Sequence, residues 1–341
     1  MTKSDPSSVT IRDVAQRAGV SVATVSRYIN QSAPVSDEVA RRLESVMSEL
    51  HYVPDVTARN LATKKSHTIG LLLTDIGGDF FAPLLSGIEA AASENGYDLL
   101  ISSLRNPKPR QTLPPVGPHN TDGVLAFADS LKEETLRWFH KKQFPIVLLH
   151  RSSPPDLQIP CVTVENKAAS SKIAEHLIEV HGRRKIIYLR GPEEQEDSYW
   201  RELGYNEALE AHGIPLVPSW VAAGHFDRQV AYQSMQQLIA SGVEFDAVFS
   251  GDDEAAVGVL EALKDAGKRV PEDVSVVGFD DQHMSPYLTP PLTTVRAPTH
   301  DVGYEATRRL FDLIHTGQAT PLTLLPTHIV LRRSCGCAHV E

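Results

Sequence analysis

The chain has 341 residues and a formal net charge of −10, and 41% of its residues are hydrophobic. This composition predicts an ordinary soluble protein with two or three compact units, and it excludes a membrane span, because no run of 18 apolar residues occurs. Three cysteines are too few for a disulfide framework, and the polar start MTKSDPSSVT does not resemble a secretion signal. We therefore expect a reducing compartment and a cytoplasmic location.

The charge is unevenly distributed along the chain. Residues 1–66 carry nine Lys or Arg and seven Asp or Glu, whereas the rest carries 24 and 36. This asymmetry suggests a segment that faces an anion, attached to an acidic remainder.

Three short helices are predicted near the start. Thr10 and Asp13 have the spacing of a capping box, and Gly19 is suited to ending the first helix. Ser21 is a cap for the second helix, and the third follows Ser36. The helical spacing predicts a small core of Val14, Ala15, Ala18, Val25, Ile29, Val39, Leu43, Val46 and Leu50.

Two short helices joined by a tight turn and supported by a third have helix-turn-helix geometry, in which the second helix enters the major groove of DNA. Arg27 is suited to a bidentate pair with guanine, and Val22 and Ala23 to a thymine methyl group. Short polar side chains are expected at phosphates: Thr10, Ser21, Thr24, Ser26 and Asn30. The alternative is a plain three-helix bundle with Arg27 as a solvated charge.

Residues 54–66 leave two interpretations open. The stretch DVTARNLA after Pro54 has almost no apolar stripe, so a helix there is marginal alone. It is either a linker or a helix that orders on DNA, with Leu61 as an apolar wedge in the minor groove.

After residue 67, eight apolar stretches are predicted to form strands: IGLLL, YDLLIS, DGVLAF, PIVLLH, CVTVE, KIIYLR, DAVFSG and VSVVGF. Most are separated by amphipathic helices, and this alternation predicts an α/β fold with parallel sheets covered on both faces. In such folds ligands bind at the carboxyl ends of strands. Aromatic rings suit the C–H faces of a sugar, and Arg and Asp suit its hydroxyl pairs. Candidate residues at strand ends are Asp75, Phe80, Phe81, His150, Tyr199, Arg201, Phe226, Asp252 and Asp280.

Alternatives remain for several of these. One of Phe80 and Phe81 could belong to the core, and His150 could be a solvated loop residue. Asp252 or Asp253 could cap the following helix. Asp281 is expected to be structural.

The stretches VTIRDVAQRAGVSVATVSRYIN and YVP…ARNLAT, with the body that follows, resemble the LacI/GalR family of bacterial transcription regulators over nearly the whole chain. The resemblance implies base reading by Val22, Ala23 and Arg27. It also implies a hinge helix, containing Ala58, whose Leu61 wedges the operator centre.

The family fold is two similar lobes joined by three crossovers, like periplasmic sugar-binding proteins, with the ligand between the lobes. The implied domains are 1–53 (helix-turn-helix), 54–66 (hinge helix and linker) and 67–341 (effector binding and dimerisation). The first lobe covers about 67–162 and 297–325, and the second about 163–296 and 326–341. The resemblance points to Arg201 and Asp280 as the main polar contacts, with Asp75, Phe81, His150 and Phe226 lining the cleft.

We therefore expect a repressor that binds a palindromic double-stranded operator as a homodimer and is controlled by a small carbohydrate. Alternatives are a regulator with a non-sugar effector, such as a nucleobase or a partner protein, and a sugar-binding receptor.

No enzyme motif, cofactor or membrane contact is predicted. The sequence shows no G-x-S-x-G, G-x-x-x-x-G-K-[ST] or G-x-G-x-x-G pattern. Cys335, Cys337 and His339 lack a clear fourth ligand nearby, so no metal site is predicted. A tail strand with packed or inert thiols is expected, and a redox role is the alternative.

Overall fold

A computed structural model describes residues 9–30, 33–52, 65–74, 77–103 and 114–338. Contacts divide the chain into two compact units, residues 1–66 (the N-terminal unit) and residues 67–341 (the body). Among the helices that the model describes, none combines the length and hydropathy needed to cross a bilayer. The hinge residues Ala58 and Leu61, as well as Asp75 and His339, lie outside the described residues.

The N-terminal unit contains the three predicted helices, α1 (Ile11–Ala18), α2 (Val22–Asn30) and α3 (Asp37–Glu49). The Asp13 carboxylate accepts the backbone N–H of Thr10 at 2.8 Å, and Gly19 ends α1, both as predicted. The predicted core is confirmed. Six of its residues are buried, and Ile29, Val39 and Leu50 pack against them partly buried.

The first lobe of the body is a six-stranded parallel sheet in the order β11-β5-β4-β3-β1-β2. Helices α4 (Phe81–Glu94) and α10 (Thr299–Thr316) pack on one face of the sheet, and α5 (Glu133–Lys141) packs on the other. Successive side chains of a strand point to opposite faces, so each face of the sheet forms its own hydrophobic cluster with the helices that cover it. The strands are β1 (Thr68–Leu73), β2 (Asp98–Ser103), β3 (Gly123–Phe127), β4 (Ile146–Leu149), β5 (Cys161–Val164) and β11 (Leu322–Leu325).

The second lobe is a four-stranded parallel sheet in the order β7-β6-β8-β9. Its helices are α6 (Asn166–Glu179) and α7 (Glu196–Ala211) on one face, and α8 (Arg228–Ala240) and α9 (Asp253–Asp265) on the other. Its strands are β6 (Ile186–Arg190), β7 (Val221–Ala223), β8 (Ala247–Ser250) and β9 (Ser275–Val277).

The chain crosses between the lobes three times: after β5, after β10 (Thr294–Arg296), and between β11 and β12 (His328–Val330). Strands β10 and β12 pair with each other in antiparallel fashion. The expected lobe boundary between residues 162 and 163 needs a correction. It cuts β5, which pairs with β4 at Cys161 and Val162 and with β11 as far as Val164, and therefore belongs to the first lobe as a whole.

Candidate functional site

A cavity of about 270 Å³ lies between the two lobes, at the carboxyl ends of the strands of both sheets. Thr74 follows β1, and Phe80 and Phe81 lead into α4. From the second lobe, Asp252 follows β8 and Asp280 follows β9. This placement agrees with the general rule for open α/β sheets.

Arg201 of α7 is the polar centre of the cavity wall. It is only 2% exposed, and each nitrogen of its guanidinium group donates to a different acceptor. Nε donates to Asn166 Oδ1 at 2.8 Å, Nη1 to the Gly251 carbonyl at 2.7 Å, and Nη2 to Asp280 Oδ1 at 3.0 Å. The guanidinium carbon also lies 3.7 Å from the centre of the Phe279 ring, in a cation–π contact. The charge is therefore fixed in one orientation.

Three buried carboxyl groups share this one guanidinium. Burial raises the pKa of Asp280 even though Arg201 opposes the shift. Burial and the nearby Asp280 hold the pKa of Asp252 well above its ordinary value. For Asp197, burial is outweighed by His150, Arg201 and Asn166, which together lower its pKa. Burial thus acts in the same direction on all three carboxyl groups, and only at Asp197 do the neighbouring groups outweigh it.

Asp197 connects the two lobes. Its Oδ2 lies 2.7 Å from Nδ1 of His150, which follows β4 of the first lobe, and its Oδ1 accepts Asn166 Nδ2 at 2.7 Å. His150 is buried and packs against Phe80 and Phe127. Its expected place on the cleft wall is therefore corrected: the ring lies behind the aromatic wall, and its effect on the cavity passes through Asp197.

Aromatic rings form two sides of the cavity. On the first lobe Phe80, Phe81 and Phe127 pack edge to face, with ring centroids 5.3–5.8 Å apart. Both Phe80 and Phe81 line the cavity. On the second lobe Phe226 lines it, and a Cβ at Gly191 would lie 2.2 Å from that ring, so only glycine leaves space for it.

Two further expectations are corrected or refined. Tyr199 is 59% exposed and lies in a separate surface depression with Arg190 and Glu202, because it occupies the outer face of α7. Asp252 both lines the cavity and caps α9, its Oδ1 accepting the N–H of Ala255 at 3.0 Å. Asp281 is structural as expected, since it pairs with Arg296 and Arg332.

Several residues around the cavity were not among the candidates expected from the sequence. Asp197 stands four residues before Arg201 on the same helix, a spacing that places both on one face. Asn166 directly follows the strand-like stretch CVTVE, so the strand-end argument already used elsewhere would have selected it. Other missed lining residues are Asp79, Phe127, Gln195, His225, Asp227, Glu254 and Gln282.

One face of α2 is presented to the surface of the N-terminal unit, and the opposite face buries Val25 in the core. Val22 is 42% exposed, and Ala23, Arg27 and Asn30 are exposed as well. Two hydroxyls also have local roles: Ser21 Oγ accepts the N–H of Thr24 at 3.1 Å, and Ser26 Oγ accepts Asn30 Nδ2 at 3.1 Å. The Thr10 hydroxyl donates to Asp13. The groups expected to face DNA thus lie on an accessible helix.

Comparisons with known proteins agree with this arrangement. Residues 10–55 match the model of bacterial regulatory proteins of the lacI family, and residues 174–335 match a periplasmic binding protein-like domain. The chain is 33% identical to a probable HTH-type transcriptional repressor, ExuR of Bacillus subtilis, over 90% of this chain and 92% of the relative. It is 31% identical to the HTH-type transcriptional repressor CytR of Escherichia coli, over 97% and 98%.

Solved structures show the same likeness. The Lac repressor dimer bound to operator and the anti-inducer ONPF is similar with a TM-score of 0.83 and 25% identity, covering 96% of this chain and 99% of that one. A complex of the transcriptional regulator CelR with cellobiose has a TM-score of 0.70 and 29% identity at the same coverage. With an exposed helix-turn-helix and a two-lobed body, the chain belongs to the LacI family and is a DNA-binding transcriptional repressor.

Proposed function

We propose that this repressor binds a palindromic operator as a homodimer and is controlled by a neutral carbohydrate held between its two lobes. The observation that carries the proposal is the buried Arg201, fixed by Asn166, Gly251 and Asp280 and flanked by aromatic rings. Charged groups bind sugar hydroxyls, and aromatic rings cover sugar C–H faces. One solved relative holds cellobiose, and another LacI-family regulator, from Enterococcus faecium, holds ribose.

The charge of the cavity favours a ligand without phosphate. Among the described lining residues, Arg201 is the one Lys or Arg side chain, whereas six carry carboxyl groups: Asp79, Asp197, Asp227, Asp252, Glu254 and Asp280. An anionic ligand would meet net repulsion in a partly desolvated site. The volume of about 270 Å³ is near the lower end of ordinary ligand pockets, roughly 300–1,000 Å³, which suits a small sugar.

A homodimer is expected because one reading helix covers only a half-site, and two-fold protein symmetry matches a palindrome. Exposed apolar side chains on the body offer surface that a second copy could cover: Leu100 and Ile101 on the edge strand β2, and Met284 and Tyr287 after β9. Two hinge segments, with Ala58 and Leu61, would then meet at the operator centre.

Control requires that the effector prefer one arrangement of the lobes. The pair between His150 and Asp197 joins the lobes directly beside Arg201, so a ligand at Arg201 acts on the contact that holds them together. The coupling is reciprocal: an effector that weakens operator binding is itself bound less tightly by the operator complex.

A thermal-shift screen tests the effector class. Neutral mono- and disaccharides, their phosphorylated forms, and nucleosides are each added to the full chain. A cognate ligand at about 100 times its Kd stabilises the protein by about 2.7 kcal/mol, which gives a measurable rise in Tm. We expect hits among the neutral sugars. Hits confined to phosphorylated sugars would contradict the charge argument, and hits confined to nucleosides would replace carbohydrate as the effector class.

Arg27→Ala tests the reading helix. We expect operator affinity to fall by about 1–3 kcal/mol and discrimination at one base pair to relax, because Arg27 is proposed to contact a guanine edge. Affinity is measured by fluorescence anisotropy on the operator and on single-base variants of it. Arg42→Ala is the matched control, since Arg42 is an exposed arginine on α3, outside the reading helix. An equal loss of affinity for the operator and for all of its single-base variants would indicate that Arg27 contacts a phosphate and not a base.

A further inference from the structure

The C-terminal segment brings two cysteines against two histidines of the second lobe. Cys335 and Cys337 lie after β12, and His176 and His181 lie at and just beyond the end of α6. The four potential ligand atoms all lie within 4.8 Å of one another. The prediction of no metal site rested on the missing fourth ligand in the neighbouring sequence, and the fold supplies two histidines from about 160 residues earlier.

We propose that Cys335, Cys337, His176 and His181 form a structural zinc site that fastens the C-terminal segment to the second lobe. The separation of Nε2 atoms of His176 and His181 is 3.2 Å, and Cys337 Sγ lies 3.6 and 3.5 Å from these two nitrogens. A tetrahedral zinc with bonds of about 2.0–2.1 Å to nitrogen and 2.3 Å to sulfur has edges of roughly 3.3 Å between two nitrogens, 3.6 Å between nitrogen and sulfur, and 3.8 Å between two sulfurs. Three ligand atoms therefore already have the spacing of one tetrahedral face.

The surroundings of the four residues suit a metal. Cys335 is buried, and its sulfur accepts the Thr293 hydroxyl at 3.1 Å, an outer contact of the kind that supports a metal-bound thiolate. Two thiolates and two neutral imidazoles balance the charge of Zn²⁺.

Gly336 allows both sulfurs to face the histidines. Its φ is +112°, a backbone conformation that residues other than glycine rarely adopt. A Cβ at this position would also lie only 3.1 Å from Nδ1 of His181. Four protein ligands complete a tetrahedron and leave no open position, so the role is structural. The segment also runs along the edge strand β9, where Val276 N donates to the Ser334 carbonyl and Ser275 Oγ to the Cys335 carbonyl. A bound zinc would therefore keep the C-terminal segment in place over the edge of β9.

Metal analysis of the full chain, purified with reductant and without chelator, tests the site. We expect about one zinc per chain in the wild type, and its loss in Cys337→Ser and in His181→Asn. Cys161→Ser is the matched control, because Cys161 is a buried thiol in β5 of the first lobe, and it should retain the metal. Zinc retained at the wild-type level by both Cys337→Ser and His181→Asn would overturn the proposal.

A second measurement does not depend on the folding of a variant. Wild-type protein stripped of metal is titrated with Co²⁺ under reducing conditions. Tetrahedral cysteine–histidine coordination should give intense visible absorption that saturates near one equivalent and disappears when Zn²⁺ is added. The absence of both zinc uptake and cobalt absorption, or a disulfide between Cys335 and Cys337 in the reduced preparation, would refute the site.

Discussion

Arg201→Met is expected to lower the free energy of unfolding of the body by about 3–5 kcal/mol and to abolish effector binding. Removing one partner of a buried ion pair leaves the other charge uncompensated, and here Asp280 and Asp197 both lose their guanidinium. Unfolding in urea can be followed by tryptophan fluorescence, because Trp138, Trp200 and Trp220 all lie in the body. Effector binding is measured by calorimetry with the sugar found by the screen.

The double variant Arg201→Met/Asp280→Asn separates the structural role of Arg201 from its binding role. Neutralising Asp280 removes one of the unpaired charges, so stability should recover in part, whereas effector binding should stay lost. Arg201→Lys keeps a positive charge but not the three-way contact, and we expect an intermediate loss of both. If Arg201→Met unfolded at the wild-type urea concentration, the pairing with Asp280 and Asp197 would not matter for stability. Effector binding that returned in the double variant would exclude Arg201 as a ligand contact.

Leu43→Ala should have the opposite distribution of effects, weakening operator binding while sparing the body. Leu43 is fully buried in the core of the N-terminal unit, and a buried Leu→Ala change costs about 2–5 kcal/mol. A unit of this size has only about 3–10 kcal/mol of stability in total, so the change removes a large share of it. Operator affinity is measured by fluorescence anisotropy, and we expect it to fall by about tenfold for each 1.4 kcal/mol by which the folded unit becomes less stable than its unfolded state.

The control for this variant is Leu43→Met, which nearly conserves volume and should cost less than about 1.5 kcal/mol. Tryptophan fluorescence and sugar binding of Leu43→Ala should match the wild type, because both report the body. A parallel loss of sugar binding would mean that the two units do not fold independently, contrary to the contact pattern that divides them.

The sequence predicted the elements whose signal is local. The caps at Thr10 and Ser36 and the eight apolar stretches that became β1–β6, β8 and β9 were found because each lies within a few residues of chain. The strands β7, β10, β11 and β12 were missed. Most of their residues are partly buried or exposed, unlike those of the equally short β4, β8 and β9, so their strand character comes from pairing with distant segments such as β5.

The residues of the site likewise divide into those with a local sequence signal and those whose position depends on distant segments. Arg201, Asp280 and Phe226 were found because each is a chemically distinctive residue in a motif or at a strand end. The surface position of Tyr199 could not be distinguished from that of Arg201, since the two are only two residues apart and differ by which side of α7 faces the cleft. The burial of His150 behind the aromatic wall depends on Asp197 of the other lobe, a partner that no local pattern indicates.

The late position of β11 affects how the chain folds during its synthesis. Residues 322–325 complete the first-lobe sheet by pairing with residues 161–164, so this sheet is unfinished until almost the whole protein has left the ribosome. The helices of the N-terminal unit make local contacts and fold early and fast. A chain that stalls or is cut before residue 322 would therefore present a complete DNA-binding unit on a body that cannot close its first sheet.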